Sequence, residues 1–345
     1  MQFTTNRSTR FACALALLTS GTAVRAAVPA PGNLWVTHAD SNYRLREYTP
    51  QGTQVQSLIV PYPPGGTRPS FASLLDVATH PDGAVSVYNG QFAPYLSTLR
   101  PATNAWTHHQ HPGWNTNGNT HYGGLAAFGN YAYATDTDLG GVPSDETDGV
   151  VRFDVTTGAA VRFGQRGTDP AFEYTLDVAV DRDGFIYDWG TSSGDLTRIR
   201  VFDPATLGLV RTIALRDAAG AGYTPNDIAV GPDGKIYGAG AAGGIARFSA
   251  DGLLEKSMSA VFDYCDIDVA ADGRLAAAST NGEVIISTTA LDSFSSFDIG
   301  ASQVHVGFVT AAAVPEPSGV AMIGLCLLSA AAAGRPRRRC LPRAT

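Results

Sequence analysis

Four stretches of the chain repeat one pattern of apolar and polar positions. The clearest runs Asp227-Ile228-Ala229-Val230-Gly231-Pro232-Asp233-Gly234-Lys235-Ile236-Tyr237, and the others begin at Asp76, Asp177 and Asp266. Each is a short apolar run, an Asp-Gly pair and a second alternating run. Alternation with period two predicts β-strands, and Asp-Gly between two such runs predicts a hairpin, because Gly accepts a positive φ at no steric cost. A degenerate fifth copy starts at Gly124, with Gly129-Asn130 in place of Asp-Gly. Further alternating runs follow the copies, among them Val150 to Asp154, Arg198 to Asp203, Gly244 to Ser249 and Glu283 to Ser287. No amphipathic helix is predicted between residues 27 and 310.

The copies start at residues 76, 124, 177, 227 and 266, spacings of 48, 53, 50 and 39 residues. That is the period of propeller blades, each of four strands running from the axis outwards. The first unit, Leu34 to Val60, supplies only three strands, and an isolated apolar run, Gln303 to Val309, follows the last unit. Placing that run inside the first blade closes the ring and leaves no open sheet edge. The expectation is therefore an all-β, six-bladed β-propeller closed by a split first blade, N-terminal three strands plus C-terminal strand. Two stacked sandwiches would leave the last strand without a partner.

The Asp227–Tyr237 phrase, followed by Gly244-Ile245-Ala246-Arg247-Phe248-Ser249-Ala250-Asp251-Gly252, resembles the repeat of NHL and SMP-30/gluconolactonase-like propellers. The resemblance spans roughly residues 33 to 310. It implies the architecture and leaves the activity open, because enzymes and binding modules share the phrase.

Both ends read differently from the middle. Arg7 and Arg10 precede the apolar run Phe11 to Leu18, and Val24-Arg25-Ala26 offers a small-x-small cleavage site, the pattern of a secretory signal peptide over residues 1–26. At the other end, Pro315-Glu316-Pro317 in a linker (311–318) is followed by an apolar run (319–334) and a basic end (335–345) containing Arg337, Arg338 and Arg339. The run reads as a transmembrane helix, with the arginines cytoplasmic by the positive-inside rule. This three-part tail resembles the PEP-CTERM sorting signal of Gram-negative bacteria. The resemblance implies processing by an exosortase, a stage in the inner membrane, and a final place at the cell surface or in the extracellular matrix. Exosortase substrates usually belong to cells that make exopolysaccharide and form biofilm.

Removing the ends changes the charge. Eight of the 24 basic residues and one of the 31 acidic ones lie there, which leaves 16 against 30 in the propeller region. So acidic a region argues against nucleic acid and anionic lipid as partners and permits cations, Ca2+ or another divalent metal. Cys265 is the one cysteine of the middle region, so the fold is expected to hold without a disulfide of its own.

Candidate chemistry is expected where each unit enters its inner strand, since loops at one end of a rigid scaffold carry function. His121, Tyr122, Glu173, Tyr174, Tyr223, Asn226 and Tyr264 stand there, rings for stacking on sugar and polar groups for its hydroxyls. The same tyrosines could instead pack between blades. Pro225-Asn226-Asp227 resembles the Pro-Asn-Asp stretch of SMP-30-like lactonases, which implies Glu173, Asn226 and Asp266 as the metal ligands of an alternative enzyme reading. Asp76, Asp177, Asp227 and Asp266 recur at one repeat position, which suits bonds to backbone groups of a neighbouring turn better than catalysis. His108, His109, His111 and His121 offer a zinc or copper spacing without a second half, and Asp145 to Gly149 resembles half a calcium loop. No phosphate loop or Cys-x-x-Cys occurs. The leading expectation is a surface or matrix protein whose propeller binds polysaccharide or another surface protein.

Overall fold

A computed structural model describes residues 27–38, 43–64, 73–90, 94–111, 123–136, 148–165, 174–192, 195–240, 244–259 and 263–310. The signal segment and the sorting tail, with Pro315, Glu316, Pro317 and Arg337 to Arg339, lie outside them.

The described residues form six four-stranded antiparallel sheets and no helix. Blade 1 contains β1 (Leu34–His38), β2 (Arg44–Tyr48) and β3 (Gln54–Ile59). Blade 2 holds β4 (Ser73–Thr79) to β7 (Ala105–His109), with β5 (Val85–Gly90) and β6 (Tyr95–Arg100) between them. Blade 3 runs through β8 (Leu125–Phe128), β9 (Tyr131–Asp136), β10 (Gly149–Asp154) and β11 (Ala160–Phe163). Blade 4 runs through β12 (Tyr174–Val180), β13 (Ile186–Ser192), β14 (Asp195–Phe202) and β15 (Leu209–Ala214). Blade 5 has β16 (Pro225–Val230), β17 (Ile236–Gly240), β18 (Gly244–Phe248) and β19 (Leu254–Ser259). Blade 6 has β20 (Tyr264–Val269), β21 (Arg274–Ser279), β22 (Glu283–Thr288) and β23 (Phe294–Asp298). The last strand, β24 (Val304–Phe308), pairs with β1 from Leu34↔Phe308 to His38↔Val304, so blade 1 has the order β24-β1-β2-β3. The split-blade expectation holds.

The hydrophobic core is divided among the junctions. Each cluster of buried apolar side chains lies between two adjacent blades: Trp189, Ile213 and Phe248 fill the 4–5 junction, and Tyr237, Ile245 and Leu275 fill the 5–6 junction. Consecutive residues of one strand serve different junctions, Ile236 facing blade 4 and Tyr237 facing blade 6. A blade buried on both faces therefore reads as an almost unbroken apolar run in its inner strands. The outer strand β19, open on one side, alternates residue by residue.

The Asp-Gly turns differ in detail from a two-residue hairpin. In blade 2 the Gly83 N–H donates to His80 O and the His80 N–H to Ala84 O, which encloses a three-residue loop. Only the glycine of each Asp-Gly pair takes a positive φ (Gly83 +81°, Gly234 +73°), the pattern of a type I turn closed by a left-handed Gly. The aspartate has another task. Its carboxylate accepts the N–H two residues on, Ala84 on Asp82 at 3.0 Å and Lys235 on Asp233 at 3.2 Å.

Candidate functional site: the acidic channel

The inner strands β4, β8, β12, β16, β20 and β24 surround a channel of about 190 Å3. Four of them break register one residue before their aspartate, at Leu74/Asp76, Thr175/Asp177, Pro225/Asp227 and Tyr264/Asp266. A β-bulge bends the strand and re-aims the side chains that follow. Here it turns each carboxylate across the junction to the next blade. The Leu125 N–H donates to Asp76 at 2.6 Å, Ile228 to Asp177 at 2.8 Å and Ile267 to Asp227 at 2.8 Å. The Val306 N–H donates to Asp266, and Phe308 adds a parallel bond to Asp268 at 2.7 Å. The expected structural role of these aspartates is thus met by the next inner strand rather than by a turn.

Two positions of the ring carry no aspartate. Leu125 and Val306 are the acceptor blades' clasped residues, so the residues before them, Gly124 and His305, occupy the aspartate position of blades 3 and 1. Blades 2 and 4 consequently receive no carboxylate from behind. Asp76 bonds its own Val77 N–H at 2.6 Å, and Asp177 bonds Val178 likewise. Superposing the orphan strand on the repeat would have revealed His305; that was the signal available in the sequence.

Burial dominates the electrostatics. It pushes Asp76 and Asp227 well above the usual carboxylate range, with repulsion from Asp177 and Asp266 adding to it. Asp177 is raised by the same burial and Asp266 to about 7. Desolvation lowers His305 to about 4. No Lys or Arg lines the channel among the described residues.

The residues expected at the mouth separate into three groups. His121, Tyr122 and Glu173 lie outside the described residues. Tyr174 is half-buried at the start of β12, and Tyr223 is half-buried with its ring edge-on to Phe248 at 5.0 Å. Tyr264 corrects the expectation: it is 1% exposed in the 5–6 junction core, because the bulge after it sends Asp266 to the channel and leaves the ring between blades. Asn226, the bulge residue of blade 5, donates to Asp263 at 3.0 Å and to Tyr264 O at 2.9 Å. Asp266 is engaged with Val306, so two of the three residues of the enzyme reading are held by protein partners. The grouping that the structure makes around Asp266 is with Asp76 and His305, whose ligand atoms lie within 4.8 Å of one another.

Other candidates disperse. His108 and His109 are neighbours on β7 and point to opposite faces of it, His108 to Ser97 Oγ at 2.8 Å and His109 to Phe153, so they do not converge on an ion. Asp145 to Thr147 lie outside the described residues. Asp148 is buried, and Asp136 forms a buried pair with Arg162. Burial pushes the Cys265 thiol up to about 12, far from a reactive thiolate.

Comparison with known proteins bears on the fold. Residues 207–248, the end of blade 4 and most of blade 5, match the family model described as strictosidine synthase-like, N-terminal. No curated protein matches the chain. Among solved structures, a protein of unknown function from Bacteroides caccae is similar at 10% identity, covering 82% of this chain and 100% of that one with a TM-score of 0.55. The Dos1 propeller gives 11% identity, 79% and 69% coverage and a TM-score of 0.45. A structure of YCF48 bound to D1 peptide gives 10%, 84% and 95%, and 0.45. The likeness to the Bacteroides caccae structure bears on the fold alone, and the family match covers only the end of blade 4 and most of blade 5.

Proposed function

We propose that this chain is an exported, exosortase-processed protein of the cell surface or extracellular matrix, and that its propeller is a binding or scaffold module for polysaccharide or a surface protein. One observation carries the choice of binding over hydrolysis. Asn226 is tied to Asp263 and Tyr264 O instead of standing open to a ligand, and the ring aspartates brace neighbouring blades, Asp177 to Ile228, Asp227 to Ile267 and Asp266 to Val306. A ring so braced is a rigid platform, which suits recognition at the end where the inner strands begin. The address rests on the resemblance of Pro315-Glu316-Pro317, the apolar run and the arginines to a sorting tail.

The test is a glycan-array screen of the exported protein, followed by titration of Tyr174→Ala. Tyr174 is half-buried at the start of β12, so its loss is expected to weaken binding by about 1–3 kcal/mol while the melting temperature holds. A protein that binds no glycan or surface protein, and that turns over a lactone in the presence of a divalent metal, replaces this reading with the enzyme. In a host with an exosortase, changing Pro315, Glu316 and Pro317 to Ala is expected to leave an unprocessed, membrane-retained species; unchanged processing refutes the address.

A further inference from the structure

The aspartate ring is broken at blade 1, the blade assembled from both ends of the chain. His305 takes the aspartate position there. It stands between Asp266 of blade 6 and Asp76 of blade 2, with Nδ1 3.8 Å from Asp266 Oδ2. One ligand atom from each of the three residues can be chosen so that all lie within 4.8 Å of one another. Donors placed around a single ion at about 2.0–2.4 Å span up to twice that distance, so the spread fits one cation between them.

The surroundings point to an occupant of that size. Asp76 and His305, with Asp227, Asn226 and Cys265, line a cavity of about 20 Å3, while Asp266 lines the adjoining channel. A space of that volume holds one water-sized species and no more. The cavity has no Lys or Arg in its wall, and His305 makes no hydrogen bond with a ring nitrogen among the described residues. Asp76 and Asp266 each accept backbone N–H bonds and retain lone pairs, since a carboxylate offers about four acceptor sites. An imidazole and two carboxylates form a donor set of intermediate hardness, suited to zinc or manganese more than to calcium, which takes oxygen ligands throughout.

We propose that Asp76, Asp266 and His305 form a site for one divalent cation of the zinc or manganese class, which ties blades 6, 1 and 2 together where the ring closes. The cation would stand at the 1–2 junction, to which blade 1 lends no carboxylate. The site is separate from the glycan-binding reading and survives its failure.

The full exported chain, dialysed against a chelator and then equilibrated with zinc, manganese or calcium, decides the matter by elemental analysis and thermal melts. About one equivalent of zinc or manganese is expected, with a higher melting temperature that falls again on chelation. His305→Ala is expected to weaken uptake about 100-fold or more and to abolish the metal-dependent part of the melting shift. The imidazole is mostly buried, so the metal-dependent shift of the variant is read against the variant's own metal-free melt. No uptake and no shift with any of the three ions overturns the proposal, as does uptake that His305→Ala leaves intact. Uptake of calcium alone overturns it too. Should the variant fail to fold, pulsed EPR of the manganese-loaded parent answers instead: coupling to an imidazole nitrogen supports the site, and its absence refutes it.

Discussion

Four junctions of the ring are clasped by an aspartate, and two are not. At the 5–6 junction Asp227 accepts the Ile267 N–H and the blades meet over Tyr237 and Leu275. At the 3–4 junction the equivalent residue is Gly124, and nothing crosses from its side chain. The glycine is required there: a β-carbon at Gly124 would overlap the Asp177 carboxylate and come within 2.5 Å of the Val178 nitrogen. Compensation lies further from the axis. Phe163 of blade 3 packs edge-on to Phe202 of blade 4 at 5.2 Å, and Arg200, held by Asp188, stands beside Gly164. Both junctions are packed with apolar side chains, and the 5–6 junction adds a bond at the axis; only that bond leaves a repeat in the sequence.

The largest expected effect falls on the unclasped junction. Asp188 and Arg200 are both fully buried, so Asp188→Ala leaves a guanidinium uncompensated and should cost about 3–5 kcal/mol in chemical denaturation. The cost depends on pH in a definite direction. Burial pushes Asp188 up to about 6 despite the Arg200 charge, so the folded protein keeps a proton that the unfolded chain releases near 3.8. That contribution is complete below the unfolded value and is lost as pH rises through about 6. The penalty of Asp188→Asn should therefore be larger at about pH 4 than at about pH 7; a penalty that grows with pH would reverse the assignment.

Next comes Gly124→Ala, which should cost about 1–3 kcal/mol, since the obstruction includes backbone that cannot swing aside. An unchanged melt would mean that the 3–4 junction is looser than the comparison requires.

The smallest effects should appear at a clasped junction. Asp227→Ala orphans a buried N–H and is expected to cost about 1–3 kcal/mol, whereas Asp227→Asn keeps an acceptor, relieves repulsion from Asp177 and Asp266, and should cost less than about 1 kcal/mol. Equal losses for Ala and Asn would show that charge, not the bond to Ile267, matters at the axis.

Much of the fold was legible because its signals are local. Alternation, Asp-Gly turns and a period near 50 residues are set by neighbours in the chain, and strand β24 revealed itself as a partnerless run. The candidate site was less legible. Tyr264 reads as a mouth residue in sequence, yet a single bulge places it in the core. His305 carries no motif of its own, and it meets Asp76 across 229 positions of the chain and Asp266 across 39.

By itself the sequence determined the blade number, the split closure and the recurrent aspartates, since each follows from periodicity and from the requirement that no strand edge remain open. Tertiary structure decided which groups face the channel, which carboxylate meets which N–H, and that His305 fills a gap in an acidic ring. The physical reason is the bulge before each aspartate. One extra residue changes the direction of a side chain without changing the hydrophobic pattern, and the bond it makes lies on another blade.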